Sequence, residues 1–183
     1  MKKIIAILGL PGSGKTEAIE YLMKKYSWPK VYFGDVTFDE MKKRDLEINE
    51  KNERFVREDL RAKYGNLYYA NQVVKKINDI DADFILVESL YSWEEYLCFK
   101  ENFGTDFITI AIYSSPKTRY ERLGNRKIRP LTSQEAQSRD HSQIENLHQA
   151  GPIAMADFTI SNNSSIKNLQ SQIEGILSKQ KIN

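Results

Sequence analysis

Gly9-Leu10-Pro11-Gly12-Ser13-Gly14-Lys15-Thr16 fits the pattern G-x-x-x-x-G-K-[ST] at every fixed position, a spacing suited to gripping a polyphosphate. Glycines let backbone N–H groups close around phosphate oxygens, and a helix that starts at the end of the motif adds the positive end of its dipole. Lys15 then reaches the β and γ phosphates, and the Thr16 hydroxyl is available to Mg²⁺. The expected ligands are ATP and Mg²⁺, cradled by Gly9, Pro11, Gly12, Ser13, Gly14, Lys15 and Thr16.

Arginines form two further groups. Arg119, Arg122 and Arg126 recur at spacings of three and four, which puts them on one helical face. With Arg129 they belong to a stretch, Lys117 to Arg129, that holds six basic residues against Glu121 alone. Charge so concentrated suits phosphate contact, the alternative being a solvated helix face. Arg44, Arg54, Arg57 and Arg61 are interleaved with Glu50, Glu53, Glu58 and Asp59, so they either clamp an anion or form ion pairs along an exposed helix. Arg139-Asp140 lies further on and could join the first group.

Two acids close apolar runs: Asp35 follows Tyr32-Phe33-Gly34, and Glu88 ends Phe84-Ile85-Leu86-Val87. In doubly wound sheets the crevice beyond the strand ends is where ligands bind. Asp35 is therefore either a group that orients an acceptor or the N-cap of the next helix. Glu88 either supports Mg²⁺ or is a strand-end acid in solvent. His141 and His148 have no third ligand nearby and read as surface residues. Tyr68, Tyr69, Trp93, Tyr96 and Phe99 recur at helical spacing and read as core or crevice wall.

Elements that position these residues follow from the apolar pattern. Lys3 to Leu8 is a short continuous apolar run of the kind buried on both faces of a parallel sheet, and similar runs recur at 31–33, 84–87, 107–113 and 158–160. Between them helices are expected at about 15–26, 68–79, 92–102, 116–124, 132–148 and 165–179. Ser115 before Pro116, and Thr132 three residues before Glu135, are N-terminal caps, with Asn162 to Ser165 serving the last helix. Strand alternating with helix implies an α/β domain with a parallel sheet. Two charged segments interrupt the alternation, about 35–64 and about 117–140.

At 183 residues, with 40% hydrophobic and 28% charged residues, the chain suits one domain over 1–183. A formal net charge of +2 gives no overall polycation, so nucleic acid is not an expected partner. The single cysteine, Cys98, has no internal partner and reads as a buried thiol. Gly9, Pro11 and Lys15 interrupt the N-terminal apolar run before it reaches leader length, and no stretch of ~18 apolar residues exists, so the expected location is the cytoplasm, off the membrane.

No Asn-Lys-x-Asp guanine-reading segment is present. In the phosphate loop, the charged segment after the second strand and the basic segment after the fourth, the chain resembles the P-loop nucleotide kinases of the adenylate kinase and dephospho-CoA kinase group along essentially its whole length. The resemblance implies a three-layer α/β/α fold with a five-stranded parallel sheet, a helical acceptor-binding insertion and an arginine-bearing lid. It implies transfer of the γ-phosphate of ATP to a nucleotide-like small molecule, a nucleoside monophosphate or dephospho-CoA type acceptor. Lys15, Asp35, Arg122 and Arg126 would be catalytic and Arg119 would join the nucleotide site. Asp35, Arg44, Arg61 and Glu88 would bind the acceptor, and Thr16 and Glu88 the metal. The chain departs from adenylate kinases at Phe38, where they carry arginine, and lacks their Asp-Gly-Phe-Pro-Arg segment. Phe33-Gly34-Asp35 replaces the Asp-Ala-Asp of dephospho-CoA kinases. Two other readings stay open: a regulatory module that senses ATP without transfer, and a nucleic-acid kinase.

Overall fold

The computed structural model describes residues 2–180 and 182, with the side chain of Glu50 outside the description. Its spine is β1 (Lys3–Leu8), every residue of which from Ile4 onward is almost fully buried. An apolar strand without alternation must be covered on both faces, and it is flanked in the sheet as well. With β2 (Lys30–Tyr32), β3 (Phe84–Glu88), β4 (Phe107–Tyr113) and β5 (Phe158–Ser161) it forms a five-stranded sheet in the order β2-β3-β1-β4-β5, with every pairing parallel. The register sets Ile7 beside Glu88, so the acid at the end of β3 arrives next to the loop that leaves β1.

Helices cover both faces. Ile5 and Ile7 pack with Ala18, Ile19 and Leu22 of α1 (Lys15–Tyr26) and with Leu169, Ile173 and Leu177 of α9 (Ile166–Lys179). Ile4, Ala6 and Leu8 face the larger core. That core receives α2 (Gly34–Lys43), α3 (Glu50–Tyr64), α4 (Tyr68–Asp79) and α5 (Trp93–Phe103). The expected α/β/α layering with a five-stranded parallel sheet is thus the observed one. The segment expected to insert after β2 is α2 and α3, and the basic segment is α6 (Pro116–Gly124), a connecting loop and much of α7 (Ser133–Glu145).

Caps set the helix starts where the sequence suggested. Ser115 accepts from the Thr118 amide with Pro116 at the first position, and Ser165 accepts from Asn168. Thr132 and Glu135 exchange reciprocal bonds, and Ser92 and Glu95 do the same at α5. One expectation changes: the helix expected at 132–148 stops at Glu145, and a short α8 (Ala150–Ala154) follows. His148 takes a positive φ of 52°, which turns the chain out of the helix. A Cβ on Gly151 would stand 2.8 Å from the Trp93 ring, so glycine lets α8 lie directly on α5. His141 and His148 are exposed, and Cys98 is buried as expected. No helix among the described residues is long and apolar enough to cross a membrane.

Phe99, fully buried, packs against Phe33, Phe103 and Phe107 with ring centroids 5.3–5.7 Å apart. Phe99→Ala should cost ~3–5 kcal/mol. Thermal denaturation should show a midpoint lower by on the order of 10 °C.

Candidate active site

The loop between β1 and α1 is shaped by what its carbonyls bind. Asn162 Nδ2 donates to Ser13 O at 2.8 Å, Gln149 Nε2 to Gly9 O at 3.1 Å, Arg119 Nη1 to Pro11 O at 3.2 Å and Arg122 Nη1 to Gly12 O at 3.4 Å. With those acceptors drawn outward, the loop's remaining polar resource is its amides. Gly14 caps α1 with no side-chain bond, so the first N–H groups of that helix keep their capacity for an external anion. Gly12 and Gly14 adopt φ of +78° and +104°, and a Cβ at Gly12 would meet the Arg119 carbonyl at 2.8 Å. Among the described residues, the buried Ser13 Oγ has no hydrogen-bond partner.

Lys15 Nζ folds back to Gly9 O at 2.7 Å and Leu10 O at 3.1 Å. Burial, and then the charge of Arg139, lower its pKa to about 8. An ammonium so placed is electrostatically short of anions. The cavity in front of it, about 590 Å³, is lined by the loop from Pro11 to Glu17 except Ser13, together with Glu88, Arg122, Arg126 and Arg139. Thr16 and Glu88 both face this space, the pair of oxygen donors that the phosphate-loop chemistry calls for, and Glu88 is paired with Lys30 at 2.6 Å.

A second cavity of about 370 Å³ adjoins the first, and the two share Tyr32, Ser89, Tyr91 and Arg139 as lining. Its other walls carry Arg57 and Arg61 from α3, Arg129 from the α6–α7 loop, Gln143 from α7, and Glu53 and Glu95. Arg61 lies over the Tyr69 ring at 5.2 Å, and Tyr69 Oη is 2.9 Å from Thr37 Oγ1, which stiffens that wall. Glu95 Oε2 accepts from the Tyr91 and Ser92 amides at 2.9 and 3.0 Å, and burial raises its pKa.

Of the residues singled out in the sequence, Pro11, Gly12, Gly14, Lys15, Thr16, Glu88, Arg122 and Arg126 meet at the first cavity, and Arg61 reaches the second. Five line neither cavity: Gly9 and Ser13 of the loop itself, and Arg119, Arg44 and Asp35. Arg119 is 3% exposed and held by Asp140 at 2.8 and 2.7 Å, with Tyr120 Oη donating to the same carboxylate at 3.0 Å. It braces Pro11 from behind, turned away from the nucleotide-sized space. Arg44 closes α2 onto α3 through Glu40 at 2.8 Å and Asp59 at 2.6 Å. Asp35 sits in the first turn of α2, whose N-cap is Phe33, and lines neither cavity. Its charge there favours the helix dipole, which explains the residue type without a ligand. Glu50 lies outside the described side chains. Gln149, Asn162, Tyr32, Tyr91 and Gln143 were not legible as site residues, because each reaches the site by a long-range contact that leaves no local pattern.

A sequence profile described as AAA domain matches residues 5–145. Over 183 aligned residues the chain is 34% identical to a UPF0200 protein of Methanocaldococcus jannaschii, covering 95% of this chain and 88% of that one. A UPF0200 protein of Methanosarcina mazei is 29% identical across 97% of this chain and 95% of its own. Among solved structures, TT1252 from Thermus thermophilus superposes with a TM-score of 0.67 at 15% identity, covering 97% of each chain. Shikimate kinase from Acinetobacter baumannii in complex with shikimate superposes with a TM-score of 0.62 at 15% identity, over 100% of this chain and 97% of that one. These structural likenesses concern the fold, and they agree with a P-loop kinase sheet.

Asp140→Ala strands the buried Arg119 cation, which should cost ~3–5 kcal/mol in a denaturant titration. A second prediction concerns pH. Phosphates favour the ammonium form of Lys15, whose proton leaves near pH 8 in the nucleotide-free protein. Calorimetry with a non-hydrolysable ATP analogue should show affinity falling about tenfold per pH unit above about 8, and Lys15→Met should flatten that slope. Stability without nucleotide moves the other way: the unfolded chain keeps this proton to near 10.5, so the Lys15 contribution improves as pH rises from about 8.

Proposed function

The chain belongs to the AAA domain family and to the UPF0200 proteins, its fold is that of the P-loop kinases, and from that premise we propose that it is an ATP-dependent phosphotransferase acting on a small nucleotide-like molecule. One observation carries the reading. A phosphate-loop cavity and a guanidinium-lined cavity meet at a common wall, so that a γ-phosphoryl held by Lys15 would face a second ligand without crossing solvent.

In this reading the loop from Gly9 to Thr16 holds the triphosphate, with Lys15 exchanging its contacts to Gly9 O and Leu10 O for phosphate oxygens. The orphan Ser13 Oγ, the uncapped start of α1 and the facing pair Thr16 and Glu88 fit a nucleotide with its Mg²⁺. Mg²⁺, when bound, neutralises charge on the phosphate oxygens. Arg122 and Arg126 face the same space and are assigned to the transferring group, where negative charge spreads in the transition state. Arg139 joins them, since it stands on the common wall. Arg61 is assigned to the acceptor, together with Arg57 and Arg129. Catalysis would then rest on positioning and electrostatic complementarity, with lid closure over the α6–α7 loop excluding water. The whole chain acts as one kinase unit, in the cytoplasm.

Phosphate transfer from labelled ATP to nucleotides, nucleosides and dephospho-CoA tests the proposal. Transfer to at least one class is expected, with Lys15→Ala lowering kcat by ~10²-fold or more. Tight ATP binding with no transfer to any acceptor would instead support a regulatory ATP-sensing module.

A further inference from the structure

β3 ends at Glu88, and the residues that carry the chain from there to α5 are tightly held. Glu88 O accepts from the Phe33 amide at 3.1 Å, and Leu90 is buried in the larger core. The amides of Tyr91 and Ser92 donate to Glu95 Oε2 at 2.9 and 3.0 Å. Between these anchors Ser89 takes a positive φ of 69°, in the left-handed region where glycine sits freely and a side chain is strained. Serine occupies the position although glycine would make the same turn at lower conformational cost. Strained residues of this kind persist where the surrounding structure fixes them, and they concentrate at functional sites.

What the side chain does there is visible in its neighbours. Ser89 and Tyr91 both line the phosphate-loop cavity and the second cavity. Ser89 Oγ and Tyr91 Oη lie 2.9 Å apart in a hydrogen bond that either oxygen can donate, and among the described residues neither has a second partner. Each hydroxyl has one proton and their mutual bond uses one, so one O–H is left over at the common wall. Facing an anion, the more acidic phenol O–H turns outward; the Ser89 O–H then donates to Tyr91 Oη, which strengthens the outward bond. Burial raises the pKa of Tyr91 against the opposing effects of the Ser89 hydrogen bond and the Arg139 charge, which keeps the phenol protonated. Lys15, Arg122, Arg126 and Arg139 already bring positive charge to the first cavity. The wall adds a fixed neutral donor between the two spaces.

We propose that Ser89 is a positioning residue: held by its left-handed turn, it fixes the Tyr91 phenol, which donates a hydrogen bond to an oxygen of the γ-phosphoryl group as that group passes between the cavities. This rests on the phosphotransferase reading above. Both hydroxyls keep their protons, and neither makes or breaks a covalent bond. Their effect falls on the group in transit, because the wall is shared by both cavities while the loop from Gly9 to Thr16 holds the ground-state nucleotide.

The full chain with Mg²⁺ is assayed for phosphoryl transfer from ATP, both to water and to any acceptor it phosphorylates. Its affinity for ADP is measured with and without aluminium fluoride, which stands in for the group in transit. Ser89→Gly, Ser89→Ala and Tyr91→Phe should each lower kcat and the fluoride-dependent gain in affinity about tenfold, with affinity for ADP alone changed by less than about twofold. In Ser89→Gly the thermal midpoint should hold level or rise by a few degrees, since glycine relieves the turn, whereas Ser89→Ala loses the same activity without that relief. Combining Ser89→Gly with Tyr91→Phe should add little to either change alone, because the two hydroxyls act as one unit. Full kcat and full fluoride gain in Ser89→Gly would make Ser89 a turn residue only and overturn the inference. A fall in ADP affinity as large as the fall in kcat also overturns it, because the hydroxyls then act on bound nucleotide. Transfer to water alone, lost in the same variants, keeps the Ser89–Tyr91 role and ends the kinase reading. No transfer and no fluoride gain in the unaltered chain overturns both.

Discussion

Carbonyl groups of Gly9, Pro11, Gly12 and Ser13 are each bound by a side chain from a distant segment: Gln149, Arg119, Arg122 and Asn162. A loop with buried polar backbone must find partners for both its donors and its acceptors. Because the acceptors are satisfied from behind, the donors at the start of α1 are left to the cavity. The rest of the site depends on this division. It explains why α6, the turn after β5 and the connection between α7 and α8 all converge on eight residues, and why Arg119 and Asp140 are buried together beneath them.

Buried ion pairs contribute little to stability on balance, since desolvation offsets most of their attraction. Arg119 and Asp140 fit a geometric role better. Their bidentate bond ties α7 to α6 and so to Pro11, and Arg139, the neighbour of Asp140, is thereby carried to the wall between the cavities. One anchor thus fixes both the loop's rear surface and a cation at its front.

Lys15 is buried, and positive charge from Arg139, Arg126 and Arg119 acts on it, with Glu88 as a counterweight. Burial first, and that charge second, lower the pKa of Lys15. A polyanion offsets that charge, so the same residues that lower the Lys15 pKa make the site complementary to phosphate. The insertion contributes differently: one of its arginines, Arg44, is absorbed in packing α2 on α3, while Arg57 and Arg61 turn inward to the second cavity.

The phosphate loop, the five strands, the caps at Ser115, Thr132 and Ser165, and the two irregular segments were all legible in the sequence, because each is a local pattern of residue type and spacing. Helical spacing could align Arg119 with Arg122 and Arg126 but could not tell which of them would be captured by a carboxylate some twenty residues on. Nor could it show that Asp35 would fall in the turn of a helix that begins at Gly34, or that a break after Glu145 would deliver Gln149 to Gly9. Local interactions set by the chain's own periodicity are determined by the sequence alone. Which charged side chains stay free to meet a ligand was decided by tertiary packing, since every buried guanidinium or carboxylate must find a partner and only the folded chain says which partner is in reach.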